Sequence, residues 1–481
     1  MKKLMADIQS RIFSEVDLDR SLDIATQYGN LLWFADIGIY DAPAIERYLI
    51  DRCLGQLNGC TFERQDNCAS VVHVISEPLL TGGHTRLMEK LAGMHEDAVD
   101  LIISRSASAR AESRVKGFFS KTSKVSTDRP LEVVVELVKL LFSYEKIVLH
   151  IHPDDICTVV ACGVVKRLFN RQVFFVNHAD HVFSYGTSVA DYYFELSSYG
   201  SRLDQKKNIC GKKSFLGIPV VTSKASRHPD LTPTKDQELL FVSAGSDIKY
   251  KPNKGRDLFA LVTHILDVYR SARFLIIGTN LKSSFWWWPL KIKYRGRLVI
   301  RAHLEFDEYS KAVADADYYV DSHPIPGGTA FAEQYLSGQR CVGLVSPIQG
   351  YSPADKLKRM NVQEVLSCIN HYQHSDSIFS EIETVNGIEN VKQRYLSCLF
   401  RGQTTENMLN ASNEWTGDVT FFKKDEGRAD VDISAKSFMS VYRLGDGLAL
   451  RLLRALTINK SLKLLAKVFI SAVRFNKKVS V

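Results

Sequence analysis

The chain has 481 residues, 62 basic and 54 acidic, and a formal charge of +8. That length exceeds what one hydrophobic core usually fills and implies two domains with additions. An apolar share of 45% with 24% charged residues excludes wholesale disorder.

The charge surplus is local. Residues 441–481 hold nine Lys and Arg against Asp446 alone, so the first 440 residues balance at 53 of each sign. A body without net charge excludes a general polyanion binder, and no nucleic-acid partner is expected. No apolar run reaches the roughly 18 residues that span a bilayer. Asp7, Arg11, Glu15 and Asp17 interrupt any apolar stretch behind Lys2 and Lys3, so no secretory signal is expected. Nine cysteines without a Cys-x-x-Cys pair suit free thiols in a reducing cytosol.

In chain order, residues 1–65 read as a helical extension, with Asp41-Ala-Pro43 marking one helix start. Val71-Val-His-Val-Ile75 opens a series of strands at 71–75, 99–103, 147–151 and 173–176. Helices at 86–94, 131–142 and 155–169 lie between them. After a Pro/Thr/Ser-rich interval at 217–235, a second series runs through strands at 239–243, 274–277, 298–300, 318–321 and 341–345. Its helices are expected at 256–269, 305–316 and 329–337. The alternation predicts an α/β fold of two Rossmann-like parallel-sheet domains facing a cleft, with chemistry at the carboxyl ends of the strands. The boundaries are a helical extension (1–65), an N-terminal acceptor domain (66–235), a C-terminal nucleotide-sugar domain (236–400), a return segment (401–440) and a basic amphipathic tail (441–481).

His323-Pro-Ile-Pro-Gly-Gly-Thr-Ala-Phe-Ala-Glu333 carries the most chemistry. Gly327 and Gly328 let backbone N–H groups approach an anion, Thr329 adds a hydroxyl, and the helix start adds partial positive charge. Glu333, one turn further, can take ribose hydroxyls. A plain capped strand-to-helix turn would leave the same signature. The loop 245–255 offers Lys249, Lys251 and Lys254 from the first strand of the same domain, where a solvated surface loop is the alternative.

Together these features resemble the nucleotide-sugar glycosyltransferases of the GT-B fold, over roughly residues 71–345. Lys249-Tyr-Lys-Pro252 is similar to the Lys-x-x-Pro segment of the O-GlcNAc-transferase and bacterial N-glucosyltransferase group, where the lysine contacts the donor diphosphate. Residues 321–333 resemble that group's Gly-Gly-Thr segment. The resemblance implies a nucleotide-sugar donor as substrate, with no cofactor and no metal. The absence of tetratricopeptide repeats points to a glycan rather than a protein acceptor. Retaining members often carry two glutamates separated by seven residues here. This chain has Ile325 in place of the first, which favours inversion with one general base.

Asn177-His-Ala-Asp-His181 follows a strand end and supplies the candidate bases, His181 first, then His178 and Asp180. Thr81-Gly-Gly-His84 would bring Gly83 and His84 to the opposite wall, and Arg301-Ala-His303 is the candidate base pocket. His150-x-His152 suggests a metal but lacks a third ligand at metal-site spacing, and Asp154 and Asp155 equally suit helix caps.

Three surfaces point to partners. Residues 280–297 hold Phe285-Trp-Trp-Trp288 among basic residues, as at a membrane interface, or as a packed loop. Residues 105–129 carry seven basic residues and suit a mobile loop for a phosphorylated acceptor. On the tail, Lys460, Lys463, Lys467, Arg474, Lys477 and Lys478 oppose Leu462, Leu465, Val468, Phe469 and Val473, as in an interfacial helix on an anionic membrane. The expected protein is therefore a peripheral glycosyltransferase of the cytoplasmic membrane face, building a lipid-linked glycan or a surface polysaccharide such as lipopolysaccharide. A nucleotide-sugar 2-epimerase of the same fold and a non-catalytic membrane scaffold are the rivals.

Overall fold

The computed structural model describes residues 1–57, 62, 69–80, 83–221, 228–229, 231–410, 417–423 and 428–479. Three helices open the chain: α1 (Lys2–Ser14), α2 (Leu18–Phe34) and α3 (Pro43–Gln56). Asp17 caps α2 by accepting from the Asp19 amide, and Pro43 begins α3, where its missing N–H leaves no gap.

The first domain then runs β1 (Val71–Ile75), α4 (Gly83–Ala92), β2 (Asp100–Ile103), α5 (Ala109–Lys116), β3 (Thr122–Lys124), α6 (Pro130–Leu141), β4 (Lys146–His150), α7 (Ile156–Phe169), β5 (Gln172–Val176), β6 (Tyr192–Glu195), α8 (Ser198–Asp204) and β7 (Lys212–Phe215). Its seven strands are parallel in the order β3-β2-β1-β4-β5-β6-β7. The second domain comprises β8 (Leu240–Ala244), α9 (Asp247–Tyr250), α10 (Phe259–Val268), β9 (Arg273–Ile277), α11 (Trp288–Lys293), β10 (Leu298–Arg301), α12 (Phe306–Ala314), β11 (Tyr318–Val320), α13 (Thr329–Leu336), β12 (Cys341–Leu344) and β13 (Lys358–Arg359). It is a six-stranded parallel sheet, β10-β9-β8-β11-β12-β13. Strand order reverses between β1 and β4 and again between β8 and β11. The loops leaving those strands therefore diverge and open a crevice on each sheet.

Helices α14 (Val362–Asn370), α15 (Asp376–Asn386) and α16 (Ile388–Arg401) follow. Val391, Tyr395, Cys398 and Leu399 of α16 pack with Val71, Leu87 and Val148, which carries the chain back onto the first domain. The last helices are α17 (Ala435–Arg443), α18 (Leu448–Ala455) and α19 (Ile458–Val479). The largest core buries α7 from Ile156 to Val165 between the first sheet and a shell drawn from both chain ends. Leu22 and Leu32 of α2, Leu49 of α3, Val441 of α17 and Leu452 of α18 belong to that shell. A helix apolar on all sides needs such a cover.

Several expectations change. Residues 105–129 are not a loop: they form α5 and the edge strand β3. Their charges are largely spent within the fold, with Arg114 on Glu89 (2.6 Å), Arg129 on Glu132 (2.7 Å), Lys124 on Glu112 and Arg105 on Asp154 (2.7 Å). The grip on a phosphorylated acceptor thereby loses four of its seven cations to pairs within the fold. In the tryptophan segment, Trp287 is buried in the second core, Trp286 is half-buried, and Phe285, Trp288 and Ile292 are exposed. Lys291 donates to the Leu298 carbonyl, Lys293 pairs with Asp267 and Arg297 holds the Leu266 carbonyl, so these cations fasten the turn.

The tail also divides. In α19, Lys460 pairs with Asp432 (2.5 Å), Leu464 enters the main core, and Val468 packs against it. Ile458, Leu462, Leu465 and Phe469 remain exposed along another face. Docking thus uses the strip between the basic and apolar faces. Side chains beyond Ser471, including Val473, Arg474, Lys477 and Lys478, lie outside the described residues.

A test of the shell is Gly163→Val. A Cβ at Gly163 would stand 2.3 Å from Ile50 Cδ1, where α7 meets α3. Overpacking of this kind costs ~1–3 kcal/mol, so the urea midpoint should fall accordingly. An unchanged midpoint would mean that α3 is not seated on α7.

Candidate active site

On the second domain the loops after β8 and β11 meet: the Ile325 amide donates to the Lys249 carbonyl (3.2 Å). Asp321, buried at the end of β11, organises the turn. Its Oδ1 accepts from the Ser322 amide (2.9 Å) and the Gly327 amide (2.7 Å), and its Oδ2 pairs with buried Lys358 (2.8 Å). Only glycine fits at 327, because a Cβ there would lie 2.6 Å from Asp321 Oδ1. Gly328 takes φ +61° before Thr329 starts α13.

Lys358 also pairs with Asp355 (2.6 Å), and these carboxylates raise its pKa against the effect of burial. Lys249 differs. Burial lowers its pKa, Asp321 opposes that shift and Lys358 adds to it. With Asp321 already committed to Lys358 and to backbone amides, the Lys249 ammonium is undercompensated. An anion beside the Gly327–Thr329 turn would answer it, aided by the helix start.

Other donor-side candidates disperse. Glu333 pairs across the cleft with Lys90 of α4 (3.4 Å) while both remain partly exposed, and Lys90 also donates to the Pro219 carbonyl. Lys254 turns away from the glycine turn, donating to the Thr420 carbonyl (3.3 Å) and lying 5.6 Å over the Phe421 ring. His303 is exposed, 3.6 Å from Glu305 of its own loop, and can offer only an open surface.

On the first domain the three candidate bases separate by environment. Asp180 is buried and accepts from the Ser197 hydroxyl and from the Tyr351 hydroxyl (2.9 Å) of the second domain, so it acts as a bolt between domains. His178 is half-buried, and its Nε2 is shielded from solvent with no hydrogen-bond partner among the described residues. Burial first, then His84, His152 and His181, lower its pKa to about 3. His181 is about one-third exposed. Its Nδ1 lies 3.7 Å from Asp180 Oδ1, and its ring stands between Trp33 (6.1 Å) and Phe422 (5.7 Å). Of the trio, Asp180 is fully buried, His178 is half-buried with its Nε2 shielded, and His181 presents about a third of its side chain.

His84, at the first turn of α4, sits 5.3 Å from His178 and 3.3 Å from the Glu77 carbonyl, with Gly83 beside it at the helix start. Thr81 and Gly82 lie outside the described residues. His150 and His152 go to different partners, His150 Nε2 to His73 Nδ1 (3.1 Å) and His152 Nδ1 to Asp154 (2.6 Å). That split gives no shared ligand position for a metal. Asp155 caps α7 as expected, accepting from Thr158, and also takes the Ser76 and Ser104 hydroxyls. Sequence reasoning missed Lys358, Trp33, Tyr351 and Phe422. None carries a local signal, since each reaches the site by tertiary folding.

No protein-family model matches the chain, and no curated protein matches it in sequence. Solved structures do match. A lipopolysaccharide outer core galactosyltransferase, WaaB, superposes at TM-score 0.50 with 15% identity, covering 69% of this chain and 100% of its own. HepE of Anabaena, in complex with UDP, gives TM-score 0.51 at 12% identity over 69% and 99%. An O-GlcNAc transferase of Thermobaculum terrenum gives 0.45 at 14% identity over 84% and 78%. The chain has the two-domain GT-B fold, and about a third of its length has no counterpart in the first two structures.

The buried imidazoles make a pH prediction. His178 is lowered to about 3, His95 and His323 to about 4, and His73 and His150 well below 6.5, in each case chiefly by burial. The folded protein leaves them neutral, whereas the unfolded chain binds protons below about 6.5. Stability therefore falls as pH falls through that value. Urea midpoints should drop between pH 6.5 and 5, before ordinary carboxylates titrate, and His178→Gln should reduce the slope. A midpoint indifferent to pH in that window contradicts this account.

Proposed function

We propose that this protein is a glycosyltransferase that moves a sugar from a nucleotide diphosphate donor to a glycan hydroxyl, with inversion. The reading is carried by one juxtaposition. An undercompensated Lys249 and the Gly327–Thr329 turn stand at the crevice of one sheet, and an accessible His181 backed by Asp180 stands at the strand ends of the other. Lys249 and the amides of the turn take the diphosphate, and Glu333 turns from Lys90 to the ribose. His181 Nε2 accepts the acceptor proton as its oxygen bonds to the anomeric carbon and the carbon–oxygen bond to diphosphate breaks. Lys249 and the α13 start hold the charge that develops on the leaving group. Ile325 provides no second carboxylate, which supports direct displacement. UDP is the first nucleotide to test, since HepE binds it.

Calorimetry should find UDP, GDP, CMP or dTDP binding to the native protein, weakened about tenfold or more by Gly327→Ala. His181→Ala should keep nucleotide affinity and lose ~10²–10⁴ in turnover. Failure of all four nucleotides to bind would overturn the transferase reading. Full turnover by His181→Ala would remove only that residue.

Membrane association rests on the exposed Ile458, Leu462, Leu465 and Phe469 of α19, flanked by exposed Lys463 and half-exposed Lys467. Among the described residues no helix is long and apolar enough to cross a membrane. The protein should sediment with phosphatidylglycerol vesicles, and Leu462→Glu/Phe469→Glu should not. Equal sedimentation of both would mean that this stripe is not the anchor.

A further inference from the structure

At the crevice of the first sheet, the carboxyl ends of β1 to β4 are roofed by helices from both chain ends. α2 and α17 enclose a cavity of about 640 Å³ there, within the usual range for a ligand site. Asp23, Thr26, Gln27 and Asn30 form one face of α2 along it, at helical spacing. Ser434, Ser437 and Ser440 do the same on α17. The facing walls are hydroxyl, amide and carboxylate, with Pro130, Val133 and Cys157 as their main apolar contributors. A polyhydroxylated ligand finds donors and acceptors on several sides of it, beside apolar surface for its C–H faces.

Charge narrows the class. Asp23, Glu77, Asp128, Asp154 and Asp155 line the cavity against Arg105, Lys436 and Arg443, a net charge of −2. Arg105 is held by Asp154 at 2.7 Å and faces Asp155 at 3.9 Å. A phosphate or carboxylate would enter against this field.

Two of the lining residues, Asn30 and Asp154, connect the cavity wall to the histidines of the strand ends. Asn30 donates to Asp154 (3.0 Å), and Asp154 pairs with His152 (2.6 Å). Trp33, the next residue on that face of α2, lies 5.1 Å from His152 and 6.1 Å from His181. A half-buried indole between a polar cavity and a base offers a flat apolar face for the C–H side of a pyranose.

We propose that this cavity binds the uncharged sugar units of the acceptor glycan, with Trp33 stacking the terminal unit whose hydroxyl reaches His181. The assignment rests on the transferase reading for its direction, because His181 defines the reacting end. It makes the helices outside the two-sheet body the determinants of acceptor choice.

The test is a printed array of neutral hexose and N-acetylhexosamine oligomers beside uronate-containing ones, run with UDP calorimetry on the same full-length protein. Neutral oligomers should be retained about tenfold or more above uronates. Ser440→Trp, which fills the cavity from α17, should abolish that retention while UDP affinity stays unchanged. Asp23→Lys/Asp128→Lys, which turns the lining from −2 to +2, should close the gap toward uronates. UDP binding with no neutral glycan retained, retention unaffected by Ser440→Trp, or a preference for uronates by the native protein would each overturn the assignment. Loss of glycan retention in Ser440→Trp by a protein that binds no nucleotide would uphold the cavity and sink the transferase reading instead.

Discussion

A carboxylate held away from water orders the glycine turn of the second domain. Asp321 ends β11 with both oxygens engaged, one by two amides of the glycine turn and one by Lys358. Breaking a buried pair of this kind costs ~3–5 kcal/mol, because the surviving charge is left alone in the interior. The turn can therefore point its remaining amides outward without collapsing onto the strand end. The same commitment removes Asp321 as a full counterion for Lys249. One interaction thus fixes the geometry of the glycine turn and leaves Lys249 without a full counterion.

The two domains are joined by ties of unequal strength. Asp180 with Tyr351, and the Ser198 amide with the Gly350 carbonyl (2.8 Å), are largely buried hydrogen bonds, reinforced where Tyr199, Ile348 and Phe421 pack together. Lys90 with Glu333 is a lone, partly exposed ion pair, a class of interaction worth little in water. Separating Lys90 from Glu333 would therefore cost almost nothing, while the other ties would keep the two domains together.

Much of the two-sheet body could be read directly, because β1, β4, β5, β8, β9, β11 and β12 are apolar runs between helices and are buried on both faces. The strands that escaped notice have physical reasons to. β3 is Thr-Ser-Lys and β7 begins Lys-Lys, polar as exposed edges should be, β13 is two residues long, and the aromatic β6 follows β5 with no helix between them, which breaks the alternation. At the site, the glycine turn and Lys249 were visible because residue type alone constrains them. Lys358 sits in a run of cations that looks like surface, and Phe422 comes from a segment with no regular structure. What shielded the Nε2 of His178 and set His181 against Trp33 and Phe422 was packing, which two histidines three residues apart do not reveal.

The chain ends take part in one structure. Arg451 of α18 pairs with Asp7 of α1, Arg11 of α1 with Asp446, and Ser437 of α17 donates to Asn30 of α2 (2.7 Å). The roof over the first crevice is therefore complete only when the last fifty residues have folded onto the first thirty. Lys460 and Lys467, which read in sequence as part of a lipid-facing charge, are drawn to Asp432 and set the angle at which α19 leaves the body. The basic surplus thus divides into cations that build the helical shell and cations left beside an exposed apolar stripe. Because the shell also walls the crevice, whatever that stripe touches is held in a fixed relation to the site.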